Sequence, residues 1–199
     1  MSSREEILKR VKANKPAATP LPGQVAFTPV PKEEAPAVFT KTVEGIGGIV
    51  NFMPDLPAIG AYLKKHFDGP GRILNTVKGV GFGTEATGPI TEGHVLGTLE
   101  MAVVAGRLGV AENGAVWITE EDLPARVLPF ICEHLALVIP QSSIVGTMHE
   151  AYATLDVAAS GYGAFIAGAS RTADIEQSLV IGAHGPKRVH VFIIQEAVS

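Results

Sequence analysis

Hydrophobic and polar positions follow two rhythms along this chain, and the changes of rhythm mark its elements. Ile7, Leu8 and Val11 form one apolar stripe on an otherwise charged segment. Ser2 or Ser3, with Glu5 or Glu6 three residues on, predicts a capped helix there, running through Lys12. Pro16, Pro20, Pro22, Pro29, Pro31 and Pro36 then forbid regular structure, so residues 14–36 are expected to be a tether or an extended strap. Beyond it, Phe39, Val43 and Ile46 suit a helix ended by Gly47-Gly48. Apolar runs at 49–52, 72–76, 102–105, 114–119, 135–139, 163–167 and 189–194 read as strands, and 57–67 and 147–158 as helices. Such alternation predicts an α/β fold, a mostly parallel sheet with helices on both faces. The expected organisation is an N-terminal helix and Pro-rich arm over 1–36, followed by one α/β domain over 37–199.

Composition narrows the class. With 199 residues, 46% hydrophobic and 18% charged, the chain can bury the core of one domain and carry an appendage. A net charge of −4 argues against nucleic acid as a partner, which needs a basic face. No run approaches the ~18 apolar residues of a membrane helix. The start, Met1-Ser-Ser-Arg-Glu-Glu, has no apolar signal core, so a cytoplasmic location is expected. Cys132 is the single cysteine, which rules out an internal disulfide or a four-cysteine cluster; its apolar flanks predict a buried small hydrophobe. The histidines show no metal-ligand spacing, so no metal site is expected.

Chemistry concentrates at residues 170–186. An apolar, Gly-rich segment leads into Ser170-Arg171-Thr172, then Asp174 and Glu176, then Gly182-Ala183-His184-Gly185-Pro186. A hydroxyl, a guanidinium, two carboxylates and an imidazole in one stretch look like the floor of a pocket at the carboxyl end of a strand. If Ser170 to Thr172 opened a helix, their hydroxyls and N–H groups would face an anion, and Arg171 would grip a carboxylate or phosphate. The plainer alternative is a helix cap with Arg171 paired to Asp174 or Glu176. Two apart, those acids cannot share a helical face, so one would face the site. His184, set in a turn that Gly182 and Gly185 permit, suits a general base, a metal ligand or a hydrogen-bond donor, or merely a turn residue bonded to backbone. Thr147 with Glu150 fits a capping box, with His149 in the same turn. Glu112-Asn113-Gly114 lies between apolar strands and is the second candidate, with Glu112 and Asn113 as pocket residues.

SRTADIEQSLVIGAHGP resembles the C-terminal signature of the LUD (lactate-utilization domain) family. TMHEA (147–151) and AENGAVWI (111–118) fall where that family has related segments, and the resemblance spans roughly residues 95–196. The family more usually shows Glu-Thr-Gly-Thr where this chain has Glu112-Asn113-Gly114-Ala115. That segment also resembles the Ser-Glu-Asn-Gly motif of coenzyme A transferases, whose glutamate forms the acyl thioester. The resemblance implies the fold of the sugar-phosphate isomerase and coenzyme A transferase superfamily. It implies a non-redox part in converting L-lactate to pyruvate, with iron–sulfur clusters held by partner proteins and no cofactor bound by this chain. Arg171 would then hold the carboxylate of a small organic acid, with His184 or Glu112 near the reacting carbon. Two other readings stay open: a stand-alone acyl-coenzyme A transferase-like or sugar-phosphate-binding enzyme, and a structural or regulatory subunit that forms oligomers through its N-terminal arm.

Overall fold

The computed structural model of the chain describes all residues except 1, 21–22, 24–28, 68–70, 87, 158, 176–177 and 196–199, and the backbone alone at 173–175. Along the chain run α1 (Ser3–Ala13), α2 (Ala35–Gly45), β1 (Ile49–Met53), α3 (Leu56–His66), β2 (Arg72–Asn75), β3 (Thr84–Glu85), β4 (Leu99–Ala105), β5 (Leu108–Val110) and β6 (Ala115–Thr119). There follow α4 (Leu128–Ile131), β7 (His134–Pro140), β8 (Ile144–Val145), α5 (Met148–Thr154), β9 (Gly163–Ile166), β10 (Arg171–Ile175), β11 (Ser178–Ile181) and β12 (Arg188–Ile194). Ser2 caps α1 in a reciprocal box with Glu5, as its spacing predicts. Pro36 lies in the first turn of α2, where a missing N–H costs nothing, so this helix starts inside the segment expected to be irregular.

A six-stranded sheet in the order β1-β12-β7-β4-β2-β3 organises the domain, and every pairing in it is parallel. Its central strands are apolar on both faces, as parallel strands covered on both sides must be. On β7, Leu135, Leu137 and Ile139 join one core cluster and Ala136 and Val138 the other; on β12, Val189, Val191 and Ile193 oppose Phe192. Ile59 and Leu63 of α3 cover the second of these faces. Phe39 and Val43 of α2 cover the first, which they share with a smaller sheet in the order β8-β5-β6-β9. Trp117 and Ala151 seal α5 onto the outside of that smaller sheet. Helices do lie on both faces, and the second sheet is the layer that apolar periodicity did not foresee.

Two loops follow from this topology. After β2 the chain moves outward to β3, whereas after β4 it leaves towards β7 on the other side. The carboxyl ends of β2 and β4 therefore flank the point where the connections part, the usual place for a crevice in an open α/β sheet. The loop before β12, residues 182–187, lies at the opposite, amino edge.

Candidate functional site

Ser170 builds the amino-edge site. Its N–H donates to the Pro186 carbonyl and its carbonyl accepts from the Gly182 N–H, both at 2.9 Å. These two bonds hold the loop carrying His184 against the end of β9. Gly182 has φ +79°, and a side chain there would meet Lys187. A Cβ on Gly185 would stand 3.0 Å from the Ser170 Cβ, so the loop depends on both glycines. His184 and Gly185 form the wall between two hollows. The larger, about 570 Å³, is also lined by Glu100, Cys132, Glu133 and Lys187, from the amino ends of β4, β7 and β12. The smaller, about 270 Å³, is lined by Phe130, Phe165, Gly168 and Ser170, with no carboxylate among its described residues.

The placement corrects two expectations. Ser170 does follow the carboxyl end of β9, but the hollows open at the amino edge of the central sheet. Arg171 and Thr172 do not open a helix: they begin β10, paired antiparallel with β11 through Arg171↔Ile181 and Thr172↔Val180. No helix dipole therefore assists an anion at Ser170, and the argument from helical faces does not apply to Asp174, whose backbone lies on β10. The Asp174 side chain and the whole of Glu176 lie outside the described residues. Arg171 donates to the Ile46 carbonyl at the end of α2, satisfying an orphan helix acceptor.

The second candidate cluster is elsewhere. The Glu112 carboxylate accepts from the Met148 N–H at 2.9 Å, and the Glu112 N–H donates to the Gly146 carbonyl at 3.0 Å. Glu150 accepts from the Gly146 N–H at 2.8 Å, and Thr147 Oγ1 accepts from the Glu150 N–H at 3.3 Å. The capping role foreseen for Thr147 and Glu150 is therefore present, except that Glu150 reaches one residue beyond the cap. Asn113 accepts from the Ala115 N–H at 3.0 Å and shapes the turn at Gly114, where φ is +69°. His149 is exposed on α5. The two segments do approach each other, but through a spacer: ideal Cβ atoms on Gly114 and on Gly168 would each meet the Ile46 side chain. Glu112 and Arg171 line neither hollow at the amino edge.

Burial governs ionisation there. It pushes the Cys132 thiol up to about 12 and the His190 imidazole down to about 4, and lowers His134 as well. Both ring nitrogens of His190 and Nδ1 of His134 are buried without a hydrogen-bond partner. Sequence reasoning missed these two histidines because each sits within an apolar strand run. Among the described residues, no group of three or more His, Cys, Asp or Glu is arranged to hold a metal ion, and no helix is long and apolar enough to cross a membrane.

A parallel sheet flanked by helices and a smaller mixed sheet, with glycine-shaped loops at its amino edge, defines a known α/β class. The crystal structure of a DUF162 family protein from Deinococcus radiodurans is similar, with a TM-score of 0.63 and 16% identity over 83% of this chain and 99% of that one. Residues 94–194 match the LUD domain, and the chain belongs to the LUD domain family. Lactate utilization protein C of Bacillus pumilus is 33% identical over 101 residues, covering 48% of this chain and 42% of that protein. The protein of the same name from Geobacillus kaustophilus is 29% identical over 93 residues, covering 44% and 39%. That from Halalkalibacterium halodurans is 32% identical over 93 residues, covering 44% and 40%. The chain thus spans about two fifths of the length of the curated relatives it matches.

Proposed function

We propose that this chain is a non-redox component of an L-lactate utilization system, binding a small organic anion while iron–sulfur partner proteins carry the electrons. What supports the role is the run of relatives named lactate utilization protein C, together with the LUD domain match over residues 94–194. What supports the anion is the smaller amino-edge hollow. It offers the Ser170 hydroxyl and the His184 imidazole among apolar walls of Phe130 and Phe165, a fit for a carboxylate joined to a short carbon chain. The larger hollow suits an anion less, since Glu100 and Glu133 line it. What supports placing the iron–sulfur clusters in partner proteins is that Cys132, a single buried cysteine, cannot ligate a cluster.

An acyl-transferase reading needs a Glu112 carboxylate free to attack, whereas this one accepts from Met148. Isothermal titration of the purified chain with sodium L-lactate and with pyruvate tests the anion site. Saturable heat is expected from the wild type, reduced in Ser170→Ala and His184→Ala and retained in Glu112→Ala. No heat from the wild type, or equal heat from the Ser170 and His184 variants, removes the site. Co-purification with iron–sulfur proteins of the same cell tests the partnership separately.

A further inference from the structure

The end of α2 and the segment after β9 meet at one residue, Ile46. Gly47 takes φ +82°, and the N–H groups of Gly47 and Gly48 return to the carbonyls of Glu44 and Val43, so α2 stops in a left-handed turn. That turn sets the direction of the Ile46 carbonyl, and the Arg171 guanidinium donates to it. Gly168 packs on the same residue. Its φ is +72°, and an ideal Cβ there would stand 3.2 Å from Ile46 Cδ1 and 3.4 Å from the Ile46 carbonyl oxygen. The segment from Gly168 to Arg171 is thus held at both ends by Ile46, and Ser170 lies between the two anchors.

Ser170 in turn carries the loop of His184, through its 2.9 Å bonds to Pro186 and Gly182. A continuous line of contacts therefore runs from the end of α2 to the wall of the smaller hollow. Arg171 itself lines neither hollow. Its charge lies at the carboxyl end of α2, where the partial negative charge of the helix favours a cation. A Cβ on Gly47 would collide with the guanidinium, so the left-handed turn leaves the room that Arg171 fills.

From this arrangement we infer that Arg171 is a positioning residue for the amino-edge anion site, a latch that fixes Ser170 and the His184 loop by gripping the Ile46 carbonyl. This role rests on the anion reading above, and it differs from the direct grip on a carboxylate that a guanidinium suggests. With the latch open, Gly168 to Arg171 come away from the end of α2. The Ser170 hydroxyl and the His184 imidazole then no longer face one hollow in a fixed relation.

The test uses the full chain with Arg171→Ala, Arg171→Lys and Ile46→Ala. Amide chemical shifts are read without ligand, and sodium L-lactate is titrated calorimetrically at low and at high ionic strength. Arg171→Ala should move the amides of His184 and Gly185, which are distant from it in sequence, and weaken lactate roughly fivefold, the worth of one hydrogen bond. The factor should be the same at both ionic strengths, because the guanidinium acts through Ile46 and not on the anion. Arg171→Lys keeps a donor of similar reach and should restore both readings. Ile46→Ala removes the side chain on which Gly168 packs and should move the same two amides. Arg171 is exposed, so Arg171→Ala still decides the matter if Ile46→Ala unfolds. Amides of His184 and Gly185 that stay in place in Arg171→Ala overturn the inference. So does a lactate loss that is steep at low salt and vanishes at high salt, the mark of a guanidinium on the anion itself. A wild type without lactate heat removes the anion reading, and the ligand-free shifts then decide the latch alone.

Discussion

The two edges of the central sheet treat charge in opposite ways. At the amino edge, burial drives groups toward neutrality: Cys132 keeps its proton, while His134 and His190 resist gaining one. At the carboxyl edge, the hydrogen bond to Asp122 favours the charged form of Arg107 and raises it above its ordinary value. The backbone scaffold is continuous between them, so the difference arises from what caps each edge. Phe67 covers the half-buried His134 and the buried His190, with ring centroids 5.3 Å and 5.5 Å away. At the other edge lies the turn Glu120–Asp122, with Glu121 exposed, together with Ala86, Gly88 and Pro89. Position along a strand does not set the chemistry of an α/β site; desolvation at each end does.

The comparison breaks most readily at Cys132. A thiol raised from 9.0 to about 12 has almost no thiolate near neutrality. Alkylation of the native chain by iodoacetamide at mildly alkaline pH should run about a thousandfold slower than for an ordinary thiol. It should recover fully in urea. Rapid labelling of the folded chain means that the amino edge is wet.

His190 gives the next largest effect. Its imidazole is 4% exposed, and burial, then the charges of His134, Arg188 and His66, lower it from 6.5 to about 4. The unfolded state therefore binds a proton that the folded state refuses. Stability from this residue is present above about pH 6.5 and is lost as pH falls toward about 4. Between pH 7 and 4.5 the wild type should lose about 2 to 3 kcal/mol more than His190→Phe, by urea unfolding at both pH values. An equal loss in both proteins sinks the assignment.

Glu112 separates structural from functional carboxylates. Glu112→Ala removes the acceptor for Met148 N–H and should cost about 1 kcal/mol, read as a lower urea midpoint, without weakening lactate binding. Loss of lactate heat with unchanged stability would return Glu112 to the site.

These contrasts also show what was legible in the sequence. The apolar runs of β7 and β12 announced buried strands because two-sided burial leaves few polar positions, His190 being the exception within β12. Strand order was not legible: β12, last in the chain, inserts between β1 and β7, and local pattern contains nothing of that pairing. Ser170 to Glu176 misled because hydroxyls followed by acids are local signals of a helix start. Pairing with β11, where Ile175 meets Ser178, outweighed them. Ser170, Gly182, His184 and Gly185 lie together because they are close in sequence. Glu112 is anchored 36 positions away at Met148, and Arg171 reaches Ile46, 125 positions back; neither link leaves a trace in local pattern.

The smallest effect tests the carboxyl edge most directly. Arg107 donates to both oxygens of Asp122, at 2.6 and 3.1 Å, and to Glu121 at 2.8 Å. Its side chain is 44% exposed, so solvent screens these pairs and Arg107→Gln should cost less than about 1 kcal/mol of stability. The same change leaves the carboxylates of Glu121 and Asp122 without their shared cation, so the loss should shrink with added salt, read by urea unfolding at low and at high ionic strength. A loss well above about 1 kcal/mol, or one that salt does not reduce, would mean that these pairs are shielded from water and that the carboxyl edge is as dry as the amino edge.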